Sequence, residues 1–213
     1  MRPHPRAVRF CAERVDKGIA VFEKPDHGCG DVSVEFLKSR SGVIRSVSQR
    51  WLYKQWSRLR AQAPMPCWKD LPMEEIGQQV DTLMFCDVSG TRDAARFQIR
   101  YLGRRLQEAY GGEHSGEFLD DVLPAMWREG AMKTYQKATQ GWPVYNVVET
   151  RDRGGCDVLL ERLILPFTTG TGVDRIVSSV ETISAEGKFE QAGLSKSPFL
   201  GSNCLINAVI EAD

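Results

Sequence analysis

Few side chains in this sequence stand close enough together to do chemistry. The densest group is the run Asp26-His27-Gly28-Cys29-Gly30-Asp31, which offers an imidazole, a thiol and two carboxylates. Such donors hold a metal when a second pair completes the set. No second pair follows, and the glycines describe a tight turn equally well. Tyr110, His114, Asp120 and Asp121 are a second group with acid-base character, but neither a nucleophile elbow nor a Ser-His-Asp pattern accompanies them. His114 is the one imidazole beyond residue 45 and so the candidate axial ligand for a haem, although its Gly-Gly-Glu-His-Ser-Gly setting reads equally as an exposed corner. Met126 and Met132 would approach a pocket from a helix, where methionine ordinarily fills core. The one Asn-Cys pair, Asn203-Cys204, lacks the Arg-Phe-Leu-Gln continuation that flavin photochemistry requires. Gly111-Gly112 precedes no Gly-Lys-Ser/Thr and follows a helical pattern, so no phosphate loop is present. Glu149 and Glu161 remain as carboxylates for an acid-base role.

The elements that must position these groups centre on Ala95–Gly116. Phe97, Ile99 and Tyr101 alternate with Arg96, Gln98 and Arg100, the period of a half-buried strand. Gly103 breaks the strand, Leu106, Ala109 and Tyr110 follow at helical spacing, and Gly111-Gly112 ends the turn. Upstream, Ser46–Ala63 predicts a helix with a serine cap and a stripe of Trp51, Leu52, Trp56 and Leu59, stopped by Pro64. That stripe packs on the chain's own sheet or forms a dimer interface through Trp51 and Trp56. Thr82–Ser89 is a nearly continuous apolar run and reads as a central strand, joined by Gly90–Ala94 to the strand above as an antiparallel hairpin. Pro124 opens a helix through about Thr139. Strands are expected at 142–150, 158–167 and 175–183, separated by Gly-, Asp- and Thr-rich loops that suit a meander.

The expected fold is therefore α+β: a five-stranded antiparallel sheet with its helices inserted between the second and third strands, preceded by an amphipathic helix. Three regions follow: an N-terminal extension over 1–45 with brief apolar pieces such as Ile19–Phe22, a domain over 46–184, and a C-terminal tail over 185–213.

Composition narrows the function classes. The 213 residues balance 28 Lys and Arg against 28 Asp and Glu, so no large field draws nucleic acid or an anionic membrane surface. Arg100, Arg104 and Arg105 read as a solvated face paired with nearby acids. The six cysteines form no CxxC and no regular framework, as expected of reduced thiols. No stretch has the length and apolarity of a membrane span or a signal peptide, which makes cytoplasmic residence the expectation.

From about Trp51 to Ser184 the chain resembles a PAS domain. More narrowly, it is similar to the proteobacterial PAS-like family in which a Trp-containing helix leads to a strand, then to a pattern near F-R-Y-R-L-x-G-T, then to G-x-x-L-T-G. Phe97, Arg100, Gly103, Gly112, Ser115 and Gly116 carry the likeness. Ser115 stands where threonine is usual, Arg104 replaces a small hydroxyl residue, and Ile99 and Tyr101 exchange the usual aromatic and aliphatic positions. The resemblance implies a bacterial sensory or protein-interaction module, a homodimer, whose partner is an unidentified small molecule or signalling protein. It also implies a small cavity enclosed by the curved sheet and its helices, with the cofactor unspecified and no catalytic output. The inward candidates for that cavity are Phe85, Phe97, Ile99, Tyr101, Tyr110, Trp127, Tyr135, Val147, Leu160 and Val177. Tyr101, Tyr110 and Tyr135 would supply its polar tips. The alternative is a small α+β enzyme using the cavity for acid-base chemistry, which requires a titratable charge buried at the cavity floor.

Overall fold

The computed structural model describes residues 35–170, 172–184, 187–194 and 203–211. The Asp26–Asp31 cluster and Ile19–Phe22 lie outside the described residues. After a short strand, Leu37–Ser39 (β1), the helix expected over 46–63 runs from Val47 to Arg60 (α1). The Ser46 hydroxyl accepts a hydrogen bond from the Gln49 amide at 3.4 Å, satisfying one of the free donors of the first turn. Gln49, Leu52, Tyr53 and Trp56 form its buried face, the i, i+3, i+4, i+7 spacing of a helix laid on a sheet.

A short helix, Met73–Ile76 (α2), and a 3-10 turn, Gly77–Thr82, lead into Leu83–Ser89 (β2), which forms a hairpin with Arg96–Leu102 (β3). The chain then turns at Gly103 into Arg104–Tyr110 (α3), followed by Leu119–Val122 (α4) and Ala125–Ala138 (α5). Three long strands complete the predicted meander: Val144–Arg151 (β4), Asp157–Phe167 (β5) and Arg175–Ser184 (β6). Asn203–Ile210 forms a last strand (β7).

The protein is α+β, with its helices inserted between β3 and β4 as the sequence predicts. The expected strand count is corrected from five to seven. One sheet has the order β1-β7-β4-β5-β6-β2-β3. The Cys204–Ile210 stretch, expected to be part of a tail, pairs antiparallel with β4, and β1 pairs in parallel with β7. Its apolar residues fit a strand inside a sheet: Ile206, Ala208, Val209 and Ile210 are all buried.

Helices cover both faces of the sheet. On one side α1 packs over Leu163, Leu165 and Phe167 of β5, together with Tyr145, Val147 and Val177. On the other, α3, α4 and α5 cover Phe97, Ile99, Ile164 and Ile176. The pleat sends successive residues of β5 to opposite layers, so Glu161 and Arg162, adjacent in sequence, point to different sides. Of the three arginines expected to pair with acids, Arg100 meets Asp87 and Arg104 meets Asp81 at 3.0 Å, while Arg105 donates instead to the Gln191 side-chain oxygen at 3.4 Å; Arg96 pairs with Asp120 at 2.8 Å.

Candidate functional site

Three neighbouring strands place Asn207, Asn146 and Arg162 in one row, since Asn146 of β4 is the register partner of both Asn207 on β7 and Arg162 on β5. All three are buried, with Arg162 only 8 % exposed. The row forms part of the wall of a cavity of about 330 Å³ under α5. Val148 and Leu160 continue that wall, Met126, Trp127, Ala131 and Thr134 supply the side toward α5, and Glu129 stands on the same helix, paired with Lys133 at 2.7 Å. A smaller hollow of about 30 Å³ adjoins it, sharing Trp127, Leu160 and Arg162 and adding Tyr110 and Gln191.

The roof is uneven. The buried residues of α5, Ala131, Thr134, Tyr135 and Ala138, all lie from Ala131 onward, and none of its first six residues is buried. Its first half overlies the cavity, and Met126 is 62 % exposed. Tyr135 anchors the helix: its hydroxyl lies 2.9 Å from the Ser178 Oγ, and its ring stands 5.3 Å from that of Phe97.

Arg162 dominates the local electrostatics. Its guanidinium lies 5.8 Å from the Tyr135 ring centroid, and its Nε is buried without an acceptor. Burial pushes the Tyr110, Tyr135 and Cys204 groups up from their ordinary pKa values, while the Arg162 charge pulls each of them down.

No protein-family model matches this chain. No curated protein matches it. Among solved structures, the PAS domain of an HTR-like protein from Haloarcula marismortui is similar, with a TM-score of 0.31 and 17 % identity over 54 % of this chain and 98 % of that one. A likeness of that size assigns neither a family nor an activity.

Of the ten residues expected at a pocket, Trp127 and Leu160 line the larger cavity, and both join Tyr110 at the smaller one. Phe97, Ile99 and Tyr135 are solid core beside it. The other four lie on the opposite face of the sheet. Val147 and Val177 pack on the α1 side, and Phe85 lies there between Trp68 and Tyr101, with ring centroids 5.7 and 5.4 Å away. Tyr101 is displaced by a bulge: Phe85 pairs with Tyr101 but Cys86 pairs with Ile99, leaving Arg100 as the extra residue. Past that point Ile99 and Tyr101, two apart in sequence, no longer share a face.

The other candidates do not converge. His114 sits near Glu117 at 3.3 Å, and Asp120 and Asp121 bind Arg96, so this group forms no catalytic cluster with Tyr110. Glu161 is fully buried, but on the α1 face, not at the cavity floor. Trp56, expected at a dimer interface, is only 5 % exposed and donates its indole N–H to the Pro166 carbonyl at 2.7 Å. It is part of the chain's own core. Trp51 packs at the edge of the same cluster.

Sequence reasoning missed Asn146, Arg162 and Asn207. One signal was available: Arg162 interrupts the apolar run Val158-Leu159-Leu160-Glu161-Arg162-Leu163-Ile164-Leu165 at its centre. A charge there is buried if both faces of the sheet are covered.

Proposed function

We propose that this chain is a PAS-like sensory or protein-interaction module that takes a small molecule into the cavity under α5 and relays its presence through the helices packed on the sheet. The observation that carries this reading is the cavity of about 330 Å³, roofed by the opening turns of α5, whose first six residues bury none of their side chains in the core. Its volume lies at the lower end of those that hold small ligands, about 300 Å³. A ligand there contacts α5 directly, and it shifts the module by the difference in its affinity for two positions of that helix.

The enzyme alternative requires a group at the cavity floor that exchanges a proton. The floor residue is Arg162, a guanidinium that stays charged throughout the working pH range, and the buried carboxylate Glu161 faces the other layer. Of the other lining groups, Glu129 is paired with Lys133 and burial raises the Cys204 thiol, so these placements favour binding without catalysis. A homodimer through the α1 stripe draws no support from Trp56, which is held by β5.

The experiment is a pair of mass measurements on freshly purified protein, native and denaturing, with an absorption spectrum. A native mass exceeding the denatured one by a small molecule at one-to-one stoichiometry is the expected result. A ligand that survives unchanged when Ala131→Trp fills the cavity would place binding elsewhere and overturn the reading.

A further inference from the structure

Two hydrogen-bond donors beside the cavity have nothing to donate to. Arg162 is more than nine-tenths buried, its Nε meets no acceptor, and among the described residues its guanidinium makes no ion pair. The indole N–H of Trp127 is likewise buried and unpaired. Both residues line both hollows, so the unmet demand falls in one place. Neither side chain can act as an acceptor at these atoms, and Arg162 cannot shed its charge to escape the cost of burial. The missing complement is an acceptor carrying negative charge.

We propose that the cavity is a site for a small monocarboxylic acid, its carboxylate received by Arg162 and the Trp127 indole N–H and its apolar body lying along Leu160 and Val148. This deepens the ligand-binding reading above and rests on it. The planar guanidinium matches the two oxygens of a carboxylate, which accept and never donate when ionised. The charge count fits a single negative charge: Arg162 is the one cation among the lining residues, and the lining carboxylate, Glu129, is paired with Lys133. A phosphate or a dicarboxylate would bury charge that nothing opposes. The apolar wall excludes an acid that is polar throughout.

The test titrates four probes calorimetrically into the full chain: sodium hexanoate and sodium benzoate, with 1-hexanol and benzyl alcohol as their neutral counterparts. At least one acid is expected to bind about tenfold or more tightly than its alcohol. Arg162→Met is expected to abolish that preference while the alcohol still binds. Should Arg162→Met not fold, as judged by its circular dichroism, Arg162→Lys serves, since it keeps the charge and loses the planar fork. A several-fold weaker acid affinity is then expected, with alcohol affinity unchanged. Equal binding of acid and alcohol to the wild-type chain, or an acid preference undiminished in the Arg162 variant tested, would overturn the carboxylate proposal and leave the cavity as a neutral site. Binding of no probe, with no retained molecule in the native mass, would overturn the ligand-binding reading itself.

Discussion

Trp56→Ala is expected to destabilise the protein by about 3–5 kcal/mol, the usual consequence of removing a large buried aromatic side chain. Trp56 is the point at which α1 is held to the sheet. Its ring packs beside Tyr53, with centroids 6.2 Å apart, and its N–H reaches the carbonyl of Pro166. Truncation opens a cavity between α1 and β5 and leaves that buried carbonyl without a donor. In a chain of this size the corresponding fall in melting temperature is on the order of 10 °C. Trp56→Phe separates the two contributions, because it retains most of the packing and loses the hydrogen bond, for a cost of about 1–2 kcal/mol. Urea unfolding of both variants checks the ranking. An alanine variant as stable as the wild type would show that α1 is not fastened to β5 at this residue.

Gly103→Ala is the second large effect, and a less obvious one, since the glycine has φ of −61° and ψ of 152°, open to any residue. The obstacle is space. A Cβ on Gly103 would stand 2.4 Å from the carbonyl oxygens of both Val80 and Asp81. Those atoms belong to the backbone of the 3-10 turn before β2, so they cannot swing away as a side chain would. The same turn is held by the Gly103 amide donating to the Leu83 carbonyl at 2.8 Å and by the Arg104–Asp81 ion pair. Pushing it outward loosens both contacts, for an expected loss of roughly 2–4 kcal/mol. Gly130→Ala is the control. Gly130 lies within α5 with no atom within 4 Å of an added Cβ, so the same substitution there should stabilise by about 0.5–1 kcal/mol through helix propensity. Thermal melts of the pair should move in opposite directions. A shift of the same sign at both positions would contradict the close approach at Gly103.

The elements were legible wherever the chain punctuates itself. Ser46 and Pro64 bracket α1, Gly103 separates β3 from α3, and Pro124 opens α5, so type and order followed from local chemistry. β1 and β7 were not legible for the opposite reason. β1 has three residues, and β7 lies far from its partners in sequence, so its pairing is settled only by the long-range contact it makes. Strand faces were the weakest part. β2 and β5 are apolar on both sides because helices cover both layers, and a strand buried on both faces carries no alternation to read. Tyr101 did alternate correctly and was still misplaced, because the bulge at Arg100 is invisible to a count of two. The same double burial hid Arg162: alternation marks a charged residue as solvent-facing only when one face of the sheet is open.

The position of β7 also has a consequence for the order in which the protein assembles. β4, β5 and β6 follow one another directly and pair as neighbours, so their contacts close short loops. β1 is made early but pairs only with β7, about the last piece of the described chain to leave the ribosome. Until β7 arrives, one edge of β4 presents open amides and carbonyls, a surface that invites pairing with another molecule. The wall that Asn207 and Cys204 give the cavity is missing for as long. In pulse-labelled hydrogen exchange during refolding of the full chain, the amides of β4 to β6 are expected to gain protection before those of β1 and β7. Earlier protection of β7 would refute that order. For a nascent chain, then, the hazard of misassembly and the lack of a finished cavity share one origin and end at one moment.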